Sequence, residues 1–359
     1  MAKGKFPFGD GKRAGNPGKH AGRPADVTDP AAAGEPPDEP THHGPPAEPS
    51  DWPISVSFTG PPATPDDVRR WATIIVDEPI MEFEPKPPSS RFYLADTIFD
   101  GWSTEHFTIR LASVRGYSHR YRGVPRQDDA QVVFHPESGT VLFAVADGVS
   151  GASESHVGAT VACSRTVETM QSQLISDHAI DLAHTVQVTA QQLTAEAADL
   201  LGQDQPTLAT VEDLLATTLV AGYIQPGPEG ATVAIVQIGD SGAWILRGNR
   251  YYPLLGRKND PDAQVISSAV SPLPRIPEHL TPTEFRLPPD AVLLIGTDGF
   301  GDPLGDGEGK IGQLFAEHLR TPPPARGLAH LLDFSRDTFD DDRALIVIWQ
   351  KAEAPEVPP

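Results

Sequence analysis

From residue 106 onward, short apolar runs rich in β-branched residues follow one another closely. They are FTIRLASV (107–114), AQVVFH (130–135), TVLFAVAD (140–147), LATTLVAGYI (215–224), ATVAIVQIGD (231–240), GAWILRG (242–248), RYYPL (250–254), AVLLIGTDG (291–299) and ALIVIWQ (344–350). Runs of this length and composition are read as strands, and FTIRLASV alternates as a half-buried strand does. Helical spacing is confined to 153–176, where Val157, Val161, Cys163, Val167 and Met170 recur, to 180–201, and to two shorter stretches near 311–319 and 325–337. Many consecutive strands with helices grouped between them predict an α+β domain of mostly antiparallel sheets. The alternating βα units of a doubly wound fold are missing.

The N-terminal part reads differently. Of 38 prolines, 18 lie in residues 1–90. Residues 1–50 hold almost no aliphatic side chains, so they cannot bury enough apolar surface to offset the entropy of ordering and are expected to be a disordered Pro/Gly-rich tail. Residues 51–105 carry scattered groups that can pack, among them Trp52, Ile54, Trp71, Ile74 and Val76, broken by prolines at 61–65 and 85–88. They are expected to form an irregular arm on the domain. The folded domain is expected over 106–352, followed by a disordered 353–359.

Charge and composition exclude several roles. The formal net charge is −21, which repels phosphate backbones and argues against nucleic-acid binding. One cysteine, Cys163, excludes a disulfide framework and a multi-cysteine metal site. No apolar run approaches the roughly 18 residues of a membrane span, and the N-terminus lacks the apolar core of a signal peptide. A cytoplasmic monomer is the expectation. Ser150 does not fit a nucleophile elbow, and neither a H-E-x-x-H zinc motif nor a phosphate-binding P-loop occurs.

One pattern recurs. Aspartate stands at or just beyond the end of apolar strands: Asp147 after VLFAVA, Asp240 after AIVQIG, Asp298 after LLIGT. Asp128 and Asp129 precede QVVF, and Asp340, Asp341 and Asp342 precede ALIVIW. Any one of these can be a turn former. Five together point elsewhere. Strand ends at one edge of a sheet stack converge, and clustered carboxylates repel unless cations sit among them. Hard divalent ions with oxygen ligands suit such a cluster.

The ordered set R-Q-D-D-A, A-V-A-D-G-V-S-G, A-T-T-L, I-G-D-S-G-A, G-T-D-G-F-G-D and D-D-R-A-L-I-V, over about 107–350, resembles the metal-dependent protein phosphatases of type 2C. The resemblance implies a four-layer α-β-β-α sandwich with two central antiparallel sheets. It implies a centre of two Mn²⁺ or Mg²⁺ ions, with a third in bacterial members. Asp147 resembles the bridging aspartate, Gly148 the glycine that offers a backbone carbonyl, and Asp298 and Asp341 further metal ligands. The first aspartate is Asp128 or Asp129, with Asp128 preferred; Asp240 resembles the residue that holds the third ion with Asp298. The resemblance implies that Asp147 and Asp298 are the central catalytic positions. The family's phosphate-gripping Arg falls at Gly123 or Val124 here, leaving Arg122, Arg126 and His119 as the polar groups near the phosphate. The implied activity is hydrolysis of phosphoserine and phosphothreonine in proteins, countering a serine/threonine kinase. A phosphatase-fold regulatory module with little turnover and a small-phosphoester hydrolase are the alternatives. Thr217 and Thr218 are explained equally well as strand residues. Trp244, Trp349 and Cys163 read as packing residues.

Overall fold

The structure, a computed structural model, describes residues 71–81, 83–88, 93–176, 178–227, 230–255 and 271–351. The tails expected at 1–50 and 353–359 lie outside the described residues, as do residues 51–70 of the arm. Everything described falls within one unit, Pro62–Pro359. No helix among the described residues is long and apolar enough to cross a membrane.

Among the described residues, eleven strands form two antiparallel sheets. One is built from β1 (Thr97–Ser103), β2 (Phe107–Val114), β11 (Arg343–Gln350), β10 (Ala291–Gly296), β7 (Gly242–Arg247) and β8 (Arg250–Pro253), in that spatial order. The other runs β3 (Asp128–His135), β4 (Thr140–Asp147), β5 (Leu219–Gln225), β6 (Ala231–Ile238) and β9 (Thr283–Leu287). Seven helices among the described residues accompany them: α1 (Tyr117–Arg122), α2 (Ser155–Ser176), α3 (Leu182–Leu201), α4 (Leu208–Leu215), α5 (Asp298–Leu304), α6 (Lys310–His318) and α7 (Ala325–Leu332).

The layering follows from strands that are apolar on both faces. In β11, Ala344, Ile346 and Ile348 enter a core with Phe107, Phe143, Ile235 and Ile295 between the two sheets. Their neighbours Leu345, Val347 and Trp349 point the other way, against Phe300, Phe315 and Leu332 of the α5–α7 layer. Strand side chains alternate, so a strand buried on both faces must lie between two layers. The second sheet does the same: Leu142, Ala144 and Val236 meet Ala162, Met170, Val186 and Leu193 of α2 and α3. The result is the four-layer α-β-β-α sandwich. The helix α3 begins and ends where the sequence supplies caps. Asp181 accepts the His184 N–H at 2.9 Å before α3, and Gly202 closes it in the left-handed region at φ 63°.

Part of the stretch read as an irregular arm is regular. β1 pairs along β2 from Thr97↔Val114 to Ser103↔Thr108, so the sheet begins before residue 106. The described residues upstream are irregular and lie against the helical layer. Val76 and Ser335 are joined by backbone hydrogen bonding, Asp77 pairs with Lys310, and Phe83 sits edge-on to Tyr117 and Tyr121.

Candidate metal centre

Strand direction brings the aspartates together. β4 and β10 end, and β3, β7 and β11 begin, at the same end of the sandwich. Asp128 lies directly opposite Asp147 across the β3–β4 ladder. Asp298 opens α5 just beyond β10, and Asp341 and Asp342 immediately precede β11. Carboxylate oxygens of Asp147, Asp240 and Asp298 all lie within 4.8 Å of one another, and so do ligand atoms of His119, Asp341 and Asp342.

The electrostatics mark this end as unfavourable for bare protein. Burial pushes the Asp128 carboxyl well above the usual carboxylate range, and the neighbouring Asp342, Asp341 and Asp298 push it further, against a hydrogen bond from Thr297. Asp147 is raised in the same way, by burial first and then by Asp128, Asp298 and Asp341. Asp341 is raised by burial and by Asp342, and His119 partly offsets this. Oδ2 of Asp128 is buried and accepts no hydrogen bond. A buried carboxylate oxygen without a donor, surrounded by further carboxylates, is stabilised by a cation. The donor set therefore fits hard divalent ions: Asp128, Asp147, Asp298 and Asp341 carry the mutual repulsion, and Asp240 stands beside Asp147 and Asp298.

Asp129 goes elsewhere. Neighbouring strand residues point to opposite faces, and Asp129 accepts the Ala130 N–H at 2.9 Å and lies 3.6 Å from Arg126. Arg126 is buried, with its guanidinium donating to Ser113 Oγ at 2.8 Å, to the Asp128 carbonyl and to Ala95 O at 3.3 Å. It thus holds the Asp128 backbone. Arg122 is exposed and donates to the Ser118 carbonyl at 3.4 Å within α1. His119 is buried; its Nδ1 lies 2.8 Å from Asp342 Oδ2, off the line of a hydrogen bond. Gly148 leaves no room for a side chain, since a Cβ there would lie 2.7 Å from the Ser155 carbonyl.

Sequence reasoning missed the residues that hold this end in register. Asp342 is buried beneath Asp341 and accepts the backbone N–H groups of Gly116, at 2.5 Å, and Gln127. It ties the start of β11 to the loop after β2 and to the residue before Asp128. Arg343 anchors the same segment from the other side by donating to the carbonyls of Leu332 (2.7 Å), Phe334 (2.8 Å) and Phe339. Burial pulls its guanidinium down to about 10. Thr297 Oγ1 accepts the Ala344 N–H at 2.9 Å while serving Asp128. The two threonines of A-T-T-L fix Asp147: Thr218 Oγ1 accepts its N–H at 3.0 Å, and Thr217 Oγ1 donates to its carbonyl at 2.8 Å. The one sequence signal for Asp342 is the run of three aspartates, in which only facing separates neighbours.

No curated protein matches the sequence. Solved structures similar to this chain include a variant of a bacterial serine phosphatase, at 15% identity over 69% of this chain and 99% of that one, with a TM-score of 0.48. The serine/threonine phosphatase of S. agalactiae is 15% identical over 68% of this chain and 100% of that one, with a TM-score of 0.47. The catalytic domain of serine threonine protein phosphatase PstP, in complex with 2 manganese ions, is 18% identical over 69% and 99%, with a TM-score of 0.47. The family model described as Protein phosphatase 2C matches residues 115–334, well over half of the chain. Asp128, Asp147, Asp240 and Asp298 fall inside that span and Asp341 just beyond it. This chain belongs to the protein phosphatase 2C family.

Proposed function

We propose that this chain is a metal-dependent phosphatase acting on phosphoserine and phosphothreonine in proteins, opposite a serine/threonine kinase, as a cytoplasmic monomer. The observation that carries the reading is the buried Asp128, its Oδ2 without a donor, set opposite Asp147 and among Asp298 and Asp341. Asp128, Asp147, Asp298 and Asp341, with the Gly148 carbonyl, would hold two Mn²⁺ or Mg²⁺ ions; Asp240, with Asp298, would hold a third. When bound, such ions activate water at neutral pH and offset the charge of a phosphoryl group. The protein's own contribution is rigidity. Thr217 and Thr218 fix the Asp147 backbone, Ser113 and Arg126 fix that of Asp128, and Asp342 locks the segments that carry Asp128 and Asp341. His119, buried beside Asp341 and Asp342, is the side chain assigned to hand a proton to the departing serine or threonine oxygen.

One observation favours a second reading, a phosphatase-fold module with little turnover. Arg126 is committed to backbone carbonyls and Ser113, and Arg122 is on the outside of α1. Neither is free to clamp a phosphate beside the carboxylates. Hydrolysis of a phosphothreonine peptide with Mn²⁺ and after EDTA separates the two. Turnover that needs Mn²⁺ supports the phosphatase. Mn²⁺ binding without release of phosphate supports the module.

A further inference from the structure

One corner of the opposite end of the sandwich is rich in arginine. β7 starts at Gly242, two residues after Asp240, and its six residues span roughly 17 Å to Arg247. There the chain turns through Gly248, at φ 61°, and Asn249 into β8. Arg247 and Arg250 close this hairpin as directly opposed partners. Residues opposed across an antiparallel pair share a face, with Cβ atoms about 5 Å apart, and like charges so placed destabilise the pair. Arg320, just past α6, lines the same open cavity of about 670 Å³. The floor is apolar, made by Leu246, Val292 and Leu319. Among its lining residues Asp290 alone is acidic; it lies 2.8 Å from Arg247. Arg320 has the Asn249 side-chain oxygen at 3.3 Å, and Arg250 pairs with no carboxylate among the described residues.

Three guanidinium groups against one carboxylate are out of keeping with a chain of net charge −21. Asp290 compensates Arg247, which leaves the Arg250 and Arg320 guanidinium groups for an incoming anion. Guanidinium forks above an apolar floor suit carboxylates carried on a peptide, which supplies aliphatic stems for the floor and charges for the rim. We propose that this cavity is a docking site for an acidic peptide segment of a partner protein, separate from the metal centre.

The two ends can be told apart. In EDTA the aspartate cluster repels anions, and binding to the six basic side chains of residues 1–25 is told apart because cavity variants leave it unchanged. A fluorescent peptide of ten alternating Asp and Glu residues is titrated into the full chain in EDTA, at low salt and again at high salt. Saturable binding that weakens with salt is expected. Reversing two charges in Arg250→Glu/Arg320→Glu should weaken it about tenfold or more, while p-nitrophenyl phosphate turnover with Mn²⁺ stays at the parent level. Arg165→Glu makes a charge reversal at an exposed residue of α2 and should leave binding near that of the parent. Should the double variant fail to fold, Arg250→Gln serves instead; it should melt no lower than the parent, because Arg250 is exposed and pairs with no carboxylate among the described residues, and should bind the peptide less tightly. Absence of binding to the parent at low salt overturns the proposal. So do undiminished binding to the cavity variant and an equal loss in Arg165→Glu, which would reduce the effect to net charge. A clear drop in melting temperature for Arg250→Gln would make Arg250 a fold contact and overturn it as well.

Discussion

Replacing Asp342 by alanine should loosen the metal end without touching a proposed ligand. In the parent, its two carboxylate oxygens accept the Gly116 and Gln127 N–H groups, and all three residues are buried. Alanine leaves two buried donors without acceptors, at about 1–3 kcal/mol each, so the gross loss is roughly 2–6 kcal/mol. One effect opposes this. The Asp342 charge repels Asp128, and its removal relieves that repulsion. The relief is the smaller effect, because an Asp128 whose pKa is already raised gives up much of its charge in metal-free protein. A net loss of about 2–4 kcal/mol remains, or roughly 4–16 °C in melting temperature. Asp342→Asn keeps the shape and one carbonyl oxygen, so it should lose about half as much. Urea unfolding and thermal melts of both variants, with Mn²⁺ titrated by calorimetry, provide the comparison. If Asp342→Ala unfolds within about 0.5 kcal/mol of the parent, the two N–H groups have found other acceptors and the bracing argument is wrong. If both variants fall equally, acceptor count is not what matters.

Metal-free protein should lose stability as pH rises. Asp128, Asp147 and Asp341 have folded pKa values above their unfolded ones, so the folded chain binds more protons. Stability is then highest near the unfolded carboxylate pKa of about 4 and declines as pH rises through the raised folded values; melting curves in EDTA should show this, and Mn²⁺ should flatten it. Gly299→Ala should cripple Mn²⁺ binding, because its Cβ would sit 1.8 Å from the Asp342 carbonyl and must displace Asp298 or the β11 approach; unchanged calorimetric affinity would count against that geometry. Deleting residues 1–50 should leave melting temperature and turnover nearly unchanged. Deleting 1–88 should lower the melting temperature by several degrees, since it removes the Val76, Asp77 and Phe83 contacts.

The layers were legible because the central strands are apolar on both faces. VLFAVA and ALIVIW can be satisfied only between two layers, and the paired helices 155–176 and 182–201 announce one of them. Edge elements carry no such pattern. β1, TIFDGWS, and β9, TEFRL, are each paired along one side only and leave several side chains exposed, so neither shows a buried face. α1, YSHRYR, is too short and polar for periodicity to register. The strand expected to start at Leu215 begins at Leu219, because Leu215 ends α4 and Thr217 is spent on the Asp147 carbonyl. The run AVLLIGTDG reads as strand throughout, yet α5 starts at Asp298. At the site, strand alternation separates Asp128 from Asp129, and the sequence does not display which of two adjacent aspartates faces the cluster. The same ambiguity hides Asp342 behind Asp341. The roles of Thr217, Thr218 and Arg126 as backbone anchors depend on contacts across about 70 residues for the threonines, and for Arg126 on contacts to the neighbouring strand.

The most direct measurement is calorimetric titration of Mn²⁺ into metal-stripped protein, run beside release of phosphate from a phosphothreonine peptide at each addition. Parent protein should bind two ions tightly, and a third more weakly beside Asp240, and should gain turnover as the first two bind. Asp147→Asn, still folded by its melting curve, should lose one of the two and all turnover, because it removes the carboxylate opposite Asp128. Full turnover in EDTA, or an Asp147→Asn variant that binds two ions and works at the parent rate, would contradict the account.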